Sequence, residues 1–411
     1  MSEHRPADAQ QVADLIAWGA AEKQTFEIVA GGSKRAFGRP APAGHVLDLS
    51  RIAGIVNYEP AELVLTARPG AALAEIKALL DSKGQMLAFE PPSWRALLAS
   101  SAEPALAQPT LGGVLACNLA GPRRVRAGAP RDFFLGFSAV NGRGEIFKAG
   151  GKVVKNVTGF DLSKLLAGSF GTLAVLTEVT LKVMPKPETE CTLLLHALAD
   201  EVAIATMAKA LNTPFEISGA AHLPPAVARR APTPAVAEGL GAVTALRLEG
   251  PAPSVAFRAA EIEKLFVRGG RLDGVASALF WETLGEVHAL LPEGERIVWR
   301  LCPTPSEACV AVDAVKARLP SAEALFDWGG GLVWLSLDAA EAGADAGAAI
   351  VRAAMKPCGG HSTLIVAPDE IRSRVSVFEP LPAALMTLKA RVKAGFDPMG
   401  VLNPGRMQEG C

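Results

Sequence analysis

Hydrophobic and polar positions recur along this chain with two different periods. From Thr172 to Val183 the period is two: Leu173, Val175, Thr177, Val179, Leu181 and Val183 share one face, Ala174, Leu176, Glu178, Thr180 and Lys182 the other, and Pro185 closes the run. That alternation predicts a strand. Residues Ala9 to Lys23 instead place Val12, Leu15, Ile16 and Trp18-Gly19 at helical spacing, ahead of a short β-like run, Phe26-Glu27-Ile28-Val29. His45–Leu49 and Leu63–Ala67 read as further strands. Pro69-Gly70 then breaks the chain before a helical stretch, Ala71–Lys83, with Leu73, Ile76, Leu79 and Leu80 on one stripe and Gly84 as its cap. Val114–Leu119 has the small apolar character of a tightly packed helix.

The pattern changes after Val183-Met184-Pro185-Lys186-Pro187, where two prolines in three residues mark a boundary. Beyond it, strand-like runs (Cys191–His196, Ala242–Leu248, Ile297–Leu301, Leu332–Leu337) alternate with Ala-rich helical ones (Asp200–Leu211, Ser254–Phe266, Ser306–Arg318, Ala340–Met355). The expected class is α+β. A chain of 411 residues exceeds what one core usually serves, so the boundary is expected to separate domains.

Between Gln108 and Pro185 three glycine clusters interrupt the apolar runs: Gly112-Gly113, Gly150-Gly151, and Gly168-Ser169-Phe170-Gly171. Glycine lets successive backbone amides turn toward a ligand without Cβ strain, which suits phosphates and large planar cofactors. An earlier turn, Ala30-Gly31-Gly32-Ser33-Lys34-Arg35-Ala36-Phe37-Gly38, follows a predicted strand and adds two cations. It lacks the four-residue spacer and Gly-Lys-Ser/Thr end of a P-loop.

Charge and cysteine usage narrow the classes. The 41 basic and 42 acidic residues nearly cancel, which argues against a nucleic-acid partner. Locally the balance is uneven: Pro122 to Phe160 holds Arg123, Arg124, Arg126, Arg131, Arg143, Lys148, Lys152 and Lys155 against Asp132 and Glu145, a patch suited to an anionic ligand or cofactor, with a solvated basic face as the lesser alternative. No run reaches the roughly 18 to 20 apolar residues of a membrane span, and the opening MSEHRPADAQQ does not read as a signal peptide, so a cytoplasmic protein is expected. The cysteines at 117, 191, 302, 309, 358 and 411 are scattered, without the close spacing of zinc or iron–sulfur ligation, and no metal site is expected.

Gly159-Phe160-Asp161-Leu162 followed by Gly168-Ser169-Phe170-Gly171-Thr172-Leu173 resembles the second flavin-binding segment of the vanillyl-alcohol-oxidase-type, PCMH-type FAD-binding family. Within it, GPRRVRAGAPRD (Gly121–Asp132) and KNVTGFDL (Lys155–Leu162) are most similar to the FAD-binding E subunits of bacterial glycolate oxidase, also called glycolate dehydrogenase. The C-terminal Phe396-Asp397-Pro398-Met399-Gly400-Val401-Leu402-Asn403-Pro404-Gly405-Arg406 resembles the family's closing motif, which returns to the flavin domain.

The resemblance implies a PCMH-type FAD-binding domain over 1–187, with subdomains about 1–67 and 68–187. It implies an α+β cap over 188–360 and a segment returning to the flavin domain over 361–411. It implies FAD contacts at Gly31, Gly32, Ser33, Lys34, Pro109, Thr110, Leu111, Gly112, Gly113, Asn118, Gly121, Asp132, Gly159, Asp161, Gly168, Gly171, Thr172 and Asn403. Some relatives tether FAD through a histidine of the first loop or a cysteine of the second block. Gly31–Gly38 has no histidine and Cys117 reads as a small buried residue, so noncovalent FAD is expected. The implied partners are a larger, homologous flavin subunit and an iron–sulfur subunit that passes electrons on, with at most peripheral membrane association through them. The implied reaction is oxidation of a 2-hydroxy acid, glycolate, to glyoxylate.

Oxidising a 2-hydroxy acid needs a cation for the carboxylate and a proton acceptor. Catalytic relatives often carry a His-rich Gly-Asp-Gly-Asn segment in the cap, where this chain has Phe326-Asp327-Trp328-Gly329-Gly330-Gly331-Leu332-Val333-Trp334. The remaining catalytic candidates are His361 as base and Arg123, Arg124 and Arg126 as a carboxylate clamp; the arginines suit FAD phosphates or a partner subunit equally well. Besides the complex subunit, two readings stay open: a self-sufficient FAD-dependent 2-hydroxy acid dehydrogenase, and a non-catalytic scaffold subunit.

Overall fold

The computed structural model of the protein describes residues 2–40, 42–98, 108–151, 159–239, 241–266, 269–291 and 295–409. Lys152, Lys155, the first half of the KNVTGFDL run and Cys411 lie outside them. Two compact units emerge: Met1–Leu119 with Ala129–Lys186 and Pro380–Cys411, and Ala120–Gly128 with Pro187–Glu379.

In the first unit the helix Ala9–Glu22 starts at Asp8, whose carboxylate accepts the Gln11 amide, and stops at Lys23 in the left-handed region. Its Val12, Ala13 and Ile16 bury against Phe26, Leu47, Val140, Val175, Val401 and Leu402. A parallel three-stranded sheet runs Ser2–His4, His45–Asp48, Phe26–Val29. An antiparallel five-stranded sheet runs Ile55–Glu59, Val64–Ala67, Ala174–Lys182, Phe134–Asn141, Ile146–Gly150. The strand predicted over Thr172–Val183 is its centre, which explains why both of its faces are apolar.

The expectation of a loop at Gly112-Gly113 fails. Both glycines lie in the first turn of the helix Leu111–Cys117, which Thr110 caps by accepting the Gly113 amide. Glycine is required at 112 because an added Cβ would stand 2.7 Å from the Pro69 Cβ and 3.0 Å from its carbonyl oxygen. The backbone must come this close, so propensity yields to packing.

The second unit is built on one antiparallel eight-stranded sheet. Its strand order is Gly270–Asp273, Thr189–His196, Val243–Gly250, Gly219–Leu223, Glu323–Asp327, Leu332–Asp338, Arg296–Cys302, His361–Val366. Trp299, Leu301, Val333, Leu335 and Leu364 face a core completed by the helices Asp200–Leu211, Ala252–Leu265, Ala308–Lys316 and Ala348–Met355. The single helix expected over Ala340–Met355 is broken into Ala339–Ala342 and Ala348–Met355, because Gly343 and Gly347 take φ of 65° and 71°.

Two expected boundaries move. His361–Val366 pairs with Arg296–Cys302 as an edge strand, so the chain stays with the second unit through Glu379 and does not leave it at 360. Ala120–Gly128, expected within the flavin domain, also belongs to the second unit, since the Arg123 guanidinium pairs with Glu249 of the sheet. Among the described residues no helix is long and apolar enough to cross a membrane.

Candidate functional site

A cleft with a cavity volume of roughly 110 Å³, partly open to solvent, lies within the first unit. One wall is the strand Phe26–Val29 and the loop that follows; another is the helix Leu111–Cys117; a third is the turn Ser169–Gly171 with the start of the central strand. Gly31, Gly32, Ser33, Lys34, Thr110, Gly112, Gly113, Gly171 and Asn403, which the resemblance implied, all line it. Ser33 and Thr110 therefore share one space. Gln108 joins the two segments: its amide donates to the Gly31 carbonyl at 2.6 Å, and a Cβ on Gly31 would stand 1.8 Å from the Gln108 carbonyl oxygen. Gly32 has φ +76°, and a Cβ there would meet nothing within 4 Å.

The cleft is cationic. Lys34 Nζ donates to Ser33 Oγ at 3.0 Å and to the Ser93 carbonyl at 2.8 Å. Arg35 pairs with Glu27, the acidic residue of an otherwise apolar strand, and Arg406 stands 3.8 Å from the same carboxylate. Arg406 also donates to the carbonyl of Arg35, tying the C-terminal tail to the loop. Three cations against one carboxylate suit a diphosphate, whose oxygens gain from backbone amides and charge together. Cys117 lines the same cleft, and burial pushes its thiol up to about 11 although Lys34 and Arg406 pull it down. It is a thiol at neutral pH and a poor nucleophile.

The tail is locked by a buried pair. Lys393 donates to Asp397 at 2.6 Å, to the Thr172 carbonyl at 2.6 Å and to the Leu402 carbonyl at 3.0 Å. Asp397 in turn accepts the amides of Val401 and Leu402. This arrangement presents Asn403 to the cleft in a left-handed conformation, φ 43°. Neither Lys393 nor Glu27 was singled out from sequence; an acidic residue in an apolar strand was the available signal for Glu27.

The other residues expected at FAD lie outside the lining of this cleft. Leu111 is buried, and the Pro109 carbonyl accepts the Leu73 amide. Asn118 ends the helix in the left-handed region and accepts the Arg131 amide. Asp132 accepts the Ala129 amide, Asp161 caps the helix Leu162–Leu166, and the Gly168 amide donates to the Leu115 carbonyl. Thr172 Oγ1 donates to the Ser169 carbonyl. Gly159 is exposed with φ +80°. Gly121 lies in the second unit, where its carbonyl accepts from Trp328 Nε1.

The arginine clamp does not form as a set. Arg123 is buried and spent on Glu249, with Nε–Oε2 at 3.0 Å and a second contact at 2.5 Å. Arg126 pairs with Glu216 at the surface. Arg124 places its guanidinium carbon 4.9 Å from the centroid of the Trp328 ring. His361 is exposed at the start of the edge strand, opposite Cys302. His222, buried, has both ring nitrogens engaged, by Thr244 and Asp200, and reads as structural.

Comparison with known proteins agrees with this geometry. A family described as an FAD binding domain matches residues 4–150. Glycolate oxidase subunit GlcE of Escherichia coli (strain K12) is 35% identical over 399 residues, 97% of each chain. Glycolate oxidase subunit GlcD of Bacillus subtilis (strain 168) is 35% identical over 155 residues, 38% of this chain and 30% of that one. A solved structure of p-cresol methylhydroxylase with substrate bound superposes with a TM-score of 0.73 at 14% identity, covering 99% of this chain and 88% of that one. The last likeness shows the fold: α+β, of the PCMH type.

Proposed function

The chain belongs to the family of glycolate oxidase subunit GlcE, and from that premise we propose that it is the FAD-carrying E subunit of a complex that oxidises glycolate to glyoxylate. Its partners are a larger, homologous flavin subunit and an iron–sulfur subunit that takes the electrons onward. The observation that carries the reading is the single cationic cleft shared by Ser33 and Thr110, two glycine-bearing segments far apart in sequence.

FAD supplies acceptance of the two electrons that leave the alcohol carbon. The chain's own residues hold it. In this reading the Gly31-Gly32 turn, Ser33 and Lys34 grip the diphosphate, with Arg35 and Arg406 neutralising charge. The helix Leu111–Cys117 lines the same space through Gly112, Gly113, Ala116 and Cys117, while the Gly112 and Gly113 amides are held by the Pro69 carbonyl and by Thr110 Oγ1. Asn403 and the Ser169–Gly171 turn close the end nearest the tail. Cys117 lines the same cleft as a protonated thiol, so in this reading the cofactor would be held noncovalently.

The names of the relatives, subunits of glycolate oxidase, support a multisubunit complex, in which this reading gives electron transfer onward to a separate iron–sulfur subunit. The test is co-purification with the neighbouring subunits, followed by counting flavin per chain and assaying glycolate with a dye acceptor. One FAD on this chain and turnover only in the complex are expected. An assembled complex whose E chain stays colourless after FAD is supplied would make it a scaffold, and turnover by the isolated chain would make it self-sufficient.

A further inference from the structure

The second unit's sheet has an apolar core face and an opposite, partly polar face, on which Val298, Leu325, Trp334 and Ile365 are also buried. Strand pairing sets Cys302 opposite His361, and Arg300 opposite both Trp334 and Thr363. Opposed residues and those two apart share a face. Arg300, Cys302, Trp334, His361 and Thr363 therefore point to one side, while Trp299, Leu301 and Leu364 fill the core on the other. Above the polar face Arg124 and Arg300 bring their guanidinium carbons to 4.9 and 5.1 Å from the centroid of the Trp328 ring. That ring is pinned by its Nε1, which donates to the Gly121 carbonyl at 3.1 Å.

Arg300 is half-buried, and among the described residues no carboxylate pairs with it. This differs from the neighbouring arginines, since Arg123, Arg126, Arg230 and Arg296 each have a glutamate partner. A half-buried guanidinium held on an aromatic ring keeps its donor fork for a planar anion. The local field is visible at Cys302. Burial pushes its thiol up, yet Arg300, a hydrogen bond with His361 and Arg124 outweigh burial and hold it below the usual thiol range. The cysteines 117, 191, 309 and 358 all move the other way.

We propose that Arg300, with Arg124 and His361, forms a binding site for the carboxylate of a small 2-hydroxy acid on the polar face of the second unit's sheet. The choice of a 2-hydroxy acid rests on the function proposed above; the anion chemistry does not. Arg300 presents the fork, Trp328 holds it flat, and His361 supplies a donor at the exposed rim. Of the clamp expected at Arg123, Arg124 and Arg126 only Arg124 thus remains, joined by a residue of the strand next to the sheet's edge.

A bound carboxylate beside Cys302 cancels part of the positive field and returns its thiol toward the ordinary range. Alkylation, which proceeds through the thiolate, reads that change. The experiment treats the purified complex with iodoacetamide at neutral pH and follows each cysteine by peptide mass mapping. Cys302 should react ahead of cysteines 117, 191, 309 and 358. Glycolate should slow Cys302 saturably, by at least about threefold, whereas ethylene glycol and potassium chloride at matched ionic strength should not.

Arg300→Gln should lower the basal reactivity of Cys302 and remove the glycolate effect, with unchanged far-UV circular dichroism showing that it folds. Arg300→Lys, which keeps charge but not the fork, should retain reactivity and weaken protection, and it carries the test should Arg300→Gln not fold. Equal slowing by chloride and glycolate, or no slowing by glycolate, would overturn the site. Protection by glycolate in a complex that does not oxidise it would support the site and count against the proposed function instead.

Discussion

Asn403 and Ile28 are joined across 375 positions of chain: Asn403 Oδ1 accepts the Ile28 amide at 2.9 Å. Its Nδ2 donates to the Phe170 carbonyl at 2.7 Å, and its own amide donates to Phe26 at 2.9 Å. One side chain thus ties the strand Phe26–Val29, the glycine turn and the tail around the cleft. Asn403→Ala leaves two buried backbone groups unpaired and should weaken FAD binding by about tenfold, roughly 1.4 kcal/mol. Flavin fluorescence titration of apoprotein measures it, and unchanged affinity would remove Asn403 from the site.

Lys393 carries more weight for stability than for binding. Asp397 is 2% exposed, so Lys393→Met strands a buried carboxylate and should cost about 3 kcal/mol. Chemical denaturation tests this. Lys393→Met with Asp397→Asn should recover part of the loss, because the uncompensated charge is then gone; a double variant no better than the single one would mean that the three carbonyl and carboxylate contacts matter more than charge.

Two glycines of the cleft should respond oppositely to the same change. Gly32→Ala meets no steric obstacle and costs only the left-handed backbone, about 1 kcal/mol, so the protein should fold while FAD affinity falls. Gly112→Ala drives a methyl into the Pro69 backbone and should destabilise by about 1–3 kcal/mol whether or not FAD is present. Melting curves with and without FAD separate the two.

Glu249 gives the second unit an acid-sensitive joint. Burial pushes its carboxyl up, but Arg247 and Arg123 more than offset this and hold it at about 2. The unfolded chain, with a carboxyl near about 4.3, then takes up the proton more readily than the folded one. The stabilisation is complete above the unfolded value and is lost as pH falls from there toward 2. Glu249→Gln should lower stability by about 3 kcal/mol at neutral pH and flatten the acid limb of the stability profile. An unchanged acid limb would place the transition elsewhere.

Cys117 predicts the mode of attachment. With its thiol held at about 11, acid precipitation of the holoprotein should release all flavin into the supernatant. Yellow colour remaining in the pellet would reveal a covalent link.

Much of the first unit was legible because its signals are local. Apolar spacing gave Ala9–Glu22 within a residue and Phe26–Val29 matches its predicted limits, as does Asp200–Leu211 in the second unit. The strands Gly219–Leu223, Gly270–Asp273, Glu323–Asp327 and His361–Val366 were missed, as were Ile55–Glu59, Phe134–Asn141 and Ile146–Gly150 of the first unit, all defined by pairing with partner strands more than by a local pattern.

What the sequence determined by itself is the set of segments that must bend sharply: the turns at Gly31-Gly32 and Gly168–Gly171 and the Asn403 tail, each written in residues that tolerate positive φ. Which of them meet was decided only in three dimensions, because the Gly31–Gln108 bridge and the Lys393–Asp397 lock are long-range or buried contacts with no periodic trace. The fate of the arginines followed the same rule. Arg123, Arg124 and Arg126 look equivalent in sequence, and only the position of Glu249, Glu216 and Trp328 in the fold spends two of them on ion pairs and sets the third beside Arg300.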